Sequence, residues 1–388
     1  MIRVAFIVST TDSGWLGAVN YIANLCQCVM ALPDREIEPV VFVGPKTPQP
    51  LLAGFANVTI VRTPFVGRRQ PVRLAGKAVE RITGRNLVLE LYLRTYGIRV
   101  LSHSGTLGWY SSVPAVTWIP DFQHMHLPEL FSTQEIHRRD VEYRKLVRQS
   151  KIVILSSRDA QNDFAVFEPS CLTRSRVLNF VSGLGSSEKE PSETQLRAKY
   201  EIDRPYFYLP NQFWKHKNHR VVIEALATLR AHGEPMLVLA TGLMRDTRAP
   251  GYAGEVTGLV ANLGVSDDFR PLGLVPYADV LALCRHSLAI INPSLFEGWS
   301  SSVEEGKSMG KIVLLSDIPV HKEQAPERGI YFSPHDAQAL ANSMHEAAAI
   351  ASPESDAAFL ARAERVRPVR VAAFARQYQK IVLEAAGC

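Results

Sequence analysis

Two doubly wound, parallel-sheet domains of the α/β class are what this sequence predicts, and three observations carry the prediction. Short apolar, β-branched-rich runs recur along the chain, separated by polar loops and helix-period stretches, the order expected of parallel βαβ units. The alternation runs once through the first half, pauses in a small, polar, Pro-containing stretch, SGLGSSEKEPSE at 182–193, and restarts near 205. With 388 residues, the chain suits two cores of ordinary size better than one. The limits that follow are a first domain at 1–183, a linker at 184–193, a second domain at 194–367 and a closing helix at 368–388.

The strands of the first half read as IRVAFIV, EPVVFV, VTIVR, IRVLS, AVTWI, KIVILSS and RVLNFV. After the first strand, Gly14 and Gly17 precede an apolar-periodic helix near 17–31, a weak signal that lacks the G-x-G-x-x-G dinucleotide pattern. Ser156 and Ser157 are placed to cap the helix after KIVILSS. In VTWIPDFQHMHLPELFS, Asp121, His124 and His126 crowd a loop after a strand, a good position for substrate contacts. An i, i+2 histidine pair with no further ligand signal does not read as a metal site. The second half resumes with PYFYLP, whose following loop carries Lys215 and Lys217 just before a helix starting near Asn218 and His219. There two lysines can neutralise a pyrophosphate, or simply be solvated. MLVLATG and the strand opening FRPLGLVPYADVLALCRHS follow.

Composition excludes several classes. At 46% hydrophobic and 21% charged residues the chain is globular, and no apolar run approaches the length of a membrane-spanning helix. The apolar start of MIRVAFIVSTTDSG is too short and too β-branched for a signal peptide. Five scattered cysteines, with Cys26 and Cys28 on one helix, read as buried small hydrophobes in a reducing cytoplasm, without structural zinc. Residues 1–185 carry 21 Lys and Arg against 14 Asp and Glu, whereas 186–388 carry 22 against 24. The excess lies between Arg62 and Arg99, where a helix would use Leu74, Val79, Ile82 and Leu87 as apolar contacts and gather Arg69, Arg73, Lys77 and Arg81 on one face. Such a face is either solvated or drawn to an anionic membrane or a phosphorylated acceptor. The motifs and interleaved aromatics of a nucleic-acid module are missing.

The most informative stretch is LAIINPSLFEGWSSSVEEGKSMGKIVLLSDIPVHKE, residues 288–323. It reads as strand, loop, helix and strand, with Ser301/Glu304 and Ser302/Glu305 at capping-box spacing. A helix N-terminus at a strand's carboxyl end is where open parallel sheets bind ligands, and its amides favour an anion such as a phosphate. Glu297 and Glu305 can each accept hydrogen bonds from vicinal hydroxyls, so one site can hold a phosphate and a sugar; Glu304 or Glu305 can equally be only a cap. Gly306 to Lys311 superficially suggests a P-loop, but its glycines are one residue too close and lie in or after the helix.

Glu297 and Glu305 with seven residues between them, Gly298 and the aromatic Trp299 leading those seven, then Gly310, Asp317, Pro319 and Glu323, together resemble the signature of family 4 retaining glycosyltransferases. The likeness is strong over 206–345 and weaker before it. It implies a GT-B fold, two Rossmann-like domains facing a cleft, with the last helix crossing back to the first domain. It implies that Glu297 contacts the donor sugar, that Glu305 binds the ribose, and that the amides of Gly298, Trp299, Ser300, Ser301 and Ser302 bind the diphosphate. The backbone of Val275 and Pro276 would meet the base, and Gly17 would approach the pyrophosphate. The family's basic pair maps onto Lys217 and, for its first member, Asn211, so Lys215 or His216 compensates or the site is one charge weaker. Pro120-Asp121 stands where the family carries His-Asp; Asp121 is carried over, and His124 is the candidate replacement for the histidine.

The implied activity is hexosyl transfer from a UDP-, GDP- or dTDP-linked sugar to a glycan or lipid-linked acceptor, with retention and without metal or other cofactor. Its expected setting is bacterial surface polysaccharide synthesis, in the cytoplasm or peripherally on the inner face of the cytoplasmic membrane. An inactive nucleotide-sugar-binding partner and another GT-B enzyme, such as a sugar-nucleotide epimerase, remain open alternatives.

Overall fold

The computed structural model describes residues 1–8, 16–66, 70–183 and 189–388, apart from the side chains of Leu16, Val72 and Arg73. Gly14, Arg69 and the first half of the linker, 184–188, therefore lie outside the described residues. Two compact units emerge, one of residues 1–122, 133–180 and 369–388, the other of 123–132 and 181–368.

In the first unit, β1 (Ile2–Val8), β2 (Ile37–Val43), β3 (Thr59–Arg62), β4 (Ile98–Ser102), β5 (Ala115–Ile119), β6 (Ile152–Leu155) and β7 (Ser175–Val177) form one parallel sheet in the order 3-2-1-4-5-6-7. Its helices are α1 (Leu16–Met30), α2 (Pro71–Thr83) and α3 (Leu87–Thr95), then α5 (Thr133–Gln149) and α6 (Arg158–Phe167). Between α3 and α5 in sequence lies α4 (Gln123–His126), which belongs to the second unit. Ser157 caps α6 by accepting from the Ala160 amide at 3.0 Å, one of the helix starts legible in sequence.

The second unit holds β8 (Tyr206–Leu209), β9 (Leu237–Thr241), β10 (Phe269–Gly273), β11 (Ile290–Asn292), β12 (Val313–Ser316) and β13 (Gly329–Phe332), parallel in the order 10-9-8-11-12-13. Its helices are α7 (Glu193–Lys199), α8 (His219–Ala231), α9 (Tyr252–Asn262), α10 (Tyr277–His286), α11 (Ser301–Met309), α12 (Pro319–Gln324) and α13 (Ala337–Ile350). Ser192 opens α7 with a complete capping box to Gln195. Period-two alternation divides the strand residues between two cores: Tyr206, Tyr208, Leu239 and Val313 pack on one face, Phe207, Leu209, Val238 and Leu314 on the other. Both faces are covered, which is why these strands read as unbroken apolar runs.

The last helix, α14 (Pro353–Ala386), is 34 residues long with Pro368 inside it. From Val369 onward it packs in the first unit, where Tyr378 donates to Ser102 Oγ at 2.8 Å and the Glu36 amide donates to Gln379 Oε1 at 2.9 Å.

The basic stretch departs from expectation. It forms two helices broken at Gly84, and Leu74 and Ile82 are not core contacts but lie exposed. The reason is the inward face that α2 adopts: among its described residues Gly76 is the buried one, and a Cβ there would meet Asn86 Oδ1 at 2.7 Å. Close approach at Gly76 turns the line of Leu74, Ala78 and Ile82 away from the unit.

Candidate active site

The strand order of the second unit reverses between β8 and β11, and at such a switch point the loops leaving the strands' carboxyl ends diverge to make a crevice. The first loop runs from β8 to α8. A 3-10 turn over Lys215–Lys217 ends at Asn218 in the left-handed conformation, φ 55°. Asn218 holds that shape by donating Nδ2 to the carbonyls of Pro293 and Pro334, at 3.1 and 2.8 Å. The Leu295 amide donates to His216 O at 2.8 Å, so the loops after β8 and β11 are bonded to each other. Close packing extends to β9, where a Cβ on Gly242 would meet Asn211 O at 2.5 Å.

This arrangement brings Lys217 and Glu297 together, with Nζ 2.6 Å from Oε1 and both side chains largely buried. The Ser294 hydroxyl lies 2.7 Å from the same carboxylate oxygen and 2.8 Å from Asn292 Oδ1, one donor between two acceptors. Burial pushes the Glu297 carboxyl up, but the Lys217 ammonium, helped by the Ser294 hydroxyl, outweighs it and holds the group below its ordinary range. His321 donates Nδ1 to Ser316 O at 2.9 Å, and burial keeps its imidazole neutral. Lys215, by contrast, is exposed, and its amide donates to Asp246 Oδ2 at 3.1 Å. His216 is buried and driven well below the usual histidine range by burial, then by Lys217 and Arg248, so it does not supply a second positive charge. Asn211 is also buried, its Nδ2 without a hydrogen-bond partner among the described residues.

At the start of α11 the expected capping boxes do not form. Ser300 is the N-cap and makes no side-chain cap bond, because its hydroxyl faces Asn292 Nδ2 at 2.6 Å and Ser302 Oγ at 3.1 Å. Glu304 Oε1 accepts from Lys307 and Gln324 instead of turning back to a cap. The Ser300 amide is itself taken by Gln324 Oε1 at 3.1 Å. A helix start whose hydroxyls point elsewhere leaves its first-turn amides for another acceptor. Gly306 lets this helix sit close on the sheet, since a Cβ there would meet Val313 Cγ2 at 2.8 Å.

One turn further on, Glu305 is buried and accepts from the Tyr277 hydroxyl at 2.8 Å. Burial pushes its carboxyl up to about 7, with Tyr277 opposing the shift. Tyr277 starts α10 directly after the half-buried Val275 and exposed Pro276, so that turn and Glu305 are neighbours. Gly298 and Trp299 are half-buried on the same loop, and Ser301 is exposed.

The loop after β5 is divided. Asp121 counts with the first unit, where its charge acts on Tyr143, whereas His124 and His126 sit on α4 in the second. Arg248 anchors that segment, donating to Gln123 Oε1 at 2.6 Å with its guanidinium 5.0 Å from the Phe131 ring centre. His126 lies against Phe296, beside Glu297, with ring centres 5.0 Å apart. His124 is buried. Gly17 lies exposed in the first turn of α1, and a Cβ there would meet nothing within 4 Å.

Solved structures with this architecture over its whole length are numerous. An Anabaena HepE bound to UDP and glucose aligns over 99% of this chain and 100% of its own, with TM-score 0.70 and 17% identity. The lipopolysaccharide-biosynthesis glycosyltransferase WaaG aligns over 98% and 99%, with TM-score 0.62 and 14% identity. The fold is GT-B. A Rickettsia africae glycosyltransferase is a third GT-B neighbour, at TM-score 0.68 and 16% identity over 99% of this chain and 98% of its own. Residues 192–365 match the model of the family "Glycosyl transferases group 1". Among curated proteins no sequence matches.

Within this GT-B chain, sequence reasoning passed over Tyr277, Ser294, Asn292, Gln324, His321 and Arg248. For Ser294 the signal was present in Asn-Pro-Ser before Glu297; Gln324 and Arg248 act across long sequence separations that no local pattern marks. Also missed was His103, after β4 and beside β1 at the first unit's switch point. It is bonded to Ser102 and Tyr21 at 2.8 and 2.9 Å, and burial pushes it down to about 3.

Proposed function

We propose that this protein moves a hexosyl unit from a nucleotide sugar to a glycan or lipid-linked acceptor with retention of configuration, in surface polysaccharide synthesis at the inner face of a bacterial membrane. The observation that carries the reading is the start of α11, where an N-cap without its cap bond stands between Glu297 and Glu305. First-turn amides and the Lys217 charge offer fixed positive ends to a leaving diphosphate, the work a divalent metal does elsewhere. In this reading Glu305 takes ribose hydroxyls and Glu297 sugar hydroxyls. In same-face transfer the bond from the anomeric carbon to the phosphate oxygen breaks as the bond to the acceptor oxygen forms. The acceptor's proton passes to the departing diphosphate, so no protein base is required. Asp121 and His124 are the candidates for contacts to the acceptor side of the reaction.

The complex of Anabaena HepE with UDP makes UDP the first ligand to test. Thermal unfolding with UDP, GDP, dTDP, ADP and NAD, each with EDTA, is measured on the native chain and on Glu305→Ala. A diphosphate at about a hundred times its dissociation constant stabilises by roughly 2.7 kcal/mol, and the variant loses that shift. No shift with any diphosphate, or one only with NAD, overturns the reading. Binding without donor hydrolysis or transfer to any acceptor would instead favour an inactive nucleotide-sugar-binding partner, the reading that Asn211 and Pro120 support.

A further inference from the structure

We propose that the outward face of α2, with the Trp109–Tyr110 pair beside it, is a docking surface for an anionic lipid bilayer. Leu74, Ala78 and Ile82 recur every four residues along one line of the helix and are all exposed, Leu74 at 58% and Ile82 at 86%. A soluble helix normally turns such a line inward; here Gly76 faces inward instead. Lys77 and Arg81 form the adjacent exposed line, also one turn apart. At the C-terminal end of α2, Trp109 and Tyr110 add two exposed aromatic rings, at 57% and 72%.

Backbone bonds hold these rings in place. The Trp109 amide donates to Gly84 O and the Asn86 amide to Leu107 O, both at 2.8 Å, with Arg85 and Gly108 paired as an antiparallel bridge. The nearby carboxylates are neutralised locally: Glu80 pairs with Lys145 at 3.3 Å, and Glu90 is buried against Arg85 at 2.7 Å. Lys77 and Arg81 therefore leave the face positive.

Apolar line, basic flank and aromatic rings with polar edges match a helix lying in the plane of a bilayer, rings at headgroup depth and cations on lipid phosphates. Lysine is depleted at protein–protein contacts, so its place beside the apolar line favours lipid over a protein partner. This inference does not rest on the transferase reading, and nucleotide-induced stabilisation of the same variants reports on that reading separately.

The test is co-sedimentation with vesicles of phosphatidylcholine alone or with about 30% phosphatidylglycerol, at about 0.1 M and 1 M salt. The native chain should bind the anionic vesicles at low salt, and Lys77→Gln with Arg81→Gln should weaken binding at least about tenfold. Leu74→Gln with Ile82→Gln should also abolish binding without lowering the melting temperature. Vesicles should shift tryptophan emission to the blue in the native chain and not in Trp109→Phe. No preference for anionic vesicles, or undiminished binding by Leu74→Gln with Ile82→Gln, overturns the proposal. So does self-association lost in that variant without lipid binding, which would assign the face to a second copy of the chain.

Discussion

The Lys217 ammonium and the Glu297 carboxylate meet at 2.6 Å, although 80 residues separate them in sequence. Each charge is largely removed from water and depends on the other. Lys217→Met and Glu297→Gln should each cost roughly 2–4 kcal/mol in urea unfolding, because each leaves an unmatched group. The double variant should cost less than the two losses added, by about 1–3 kcal/mol. Additive losses would mean that the pair is not coupled. The folded Glu297 value lies below the unfolded one, so its contribution is present above the ordinary carboxylate range and is lost as pH falls through the folded value.

Glu305 has the opposite sign. Its folded value, about 7, lies above the ordinary 4.5, so the folded state holds the proton more tightly. Its stabilising contribution is full below the ordinary value and fades as pH rises towards 7 and beyond, a loss on the order of 3 kcal/mol. Glu305→Gln should therefore gain melting temperature relative to the native chain at pH 8 and not at pH 5. Ribose hydroxyls donating to this group would favour its charged form. Nucleotide binding near pH 6.5 should release a proton, visible in calorimetry as a heat that varies with buffer ionisation enthalpy; proton uptake would remove Glu305 from the ribose site.

Gly306→Ala tests how closely α11 must sit on the sheet. Its new methyl would press on Val313 Cγ2, 2.8 Å away, and approach Ile290 Cδ1 at 3.2 Å. A stability loss of roughly 1–3 kcal/mol is expected, with weaker diphosphate binding as the helix start is displaced. Ser301→Ala, at an exposed position, is the control and should cost little in stability.

Arg248 ties the segment 123–132 to the second unit. Arg248→Ala removes the bond to Gln123 and the stacking on Phe131, an expected cost of about 1–3 kcal/mol. Hydrogen exchange should quicken across 123–132 while β8 and β11 stay protected. Unchanged exchange there would show that other contacts hold the segment.

The sequence alone determined the two parallel sheets, since each buried strand is a short apolar run and each return is a helix-period stretch. It also determined that Lys217, Glu297 and Glu305 lie near strand ends, because strand-to-helix loops must follow apolar runs, and the resemblance to a glycosyltransferase signature singled out the two acids. Only the tertiary structure decided what those groups face. The spacing of Ser301 with Glu304 satisfied a capping rule, yet Asn292 and Gln324 took the polar groups of Ser300, and Lys307 with Gln324 took Glu304. Likewise Leu74 and Ile82 had the period of core contacts, and the close approach at Gly76 turned them outward. Periodicity and cap spacing constrain a residue against its neighbours within a turn or two. Partners that arrive from distant segments compete for the same hydroxyls, carboxylates and faces, and packing settles that competition.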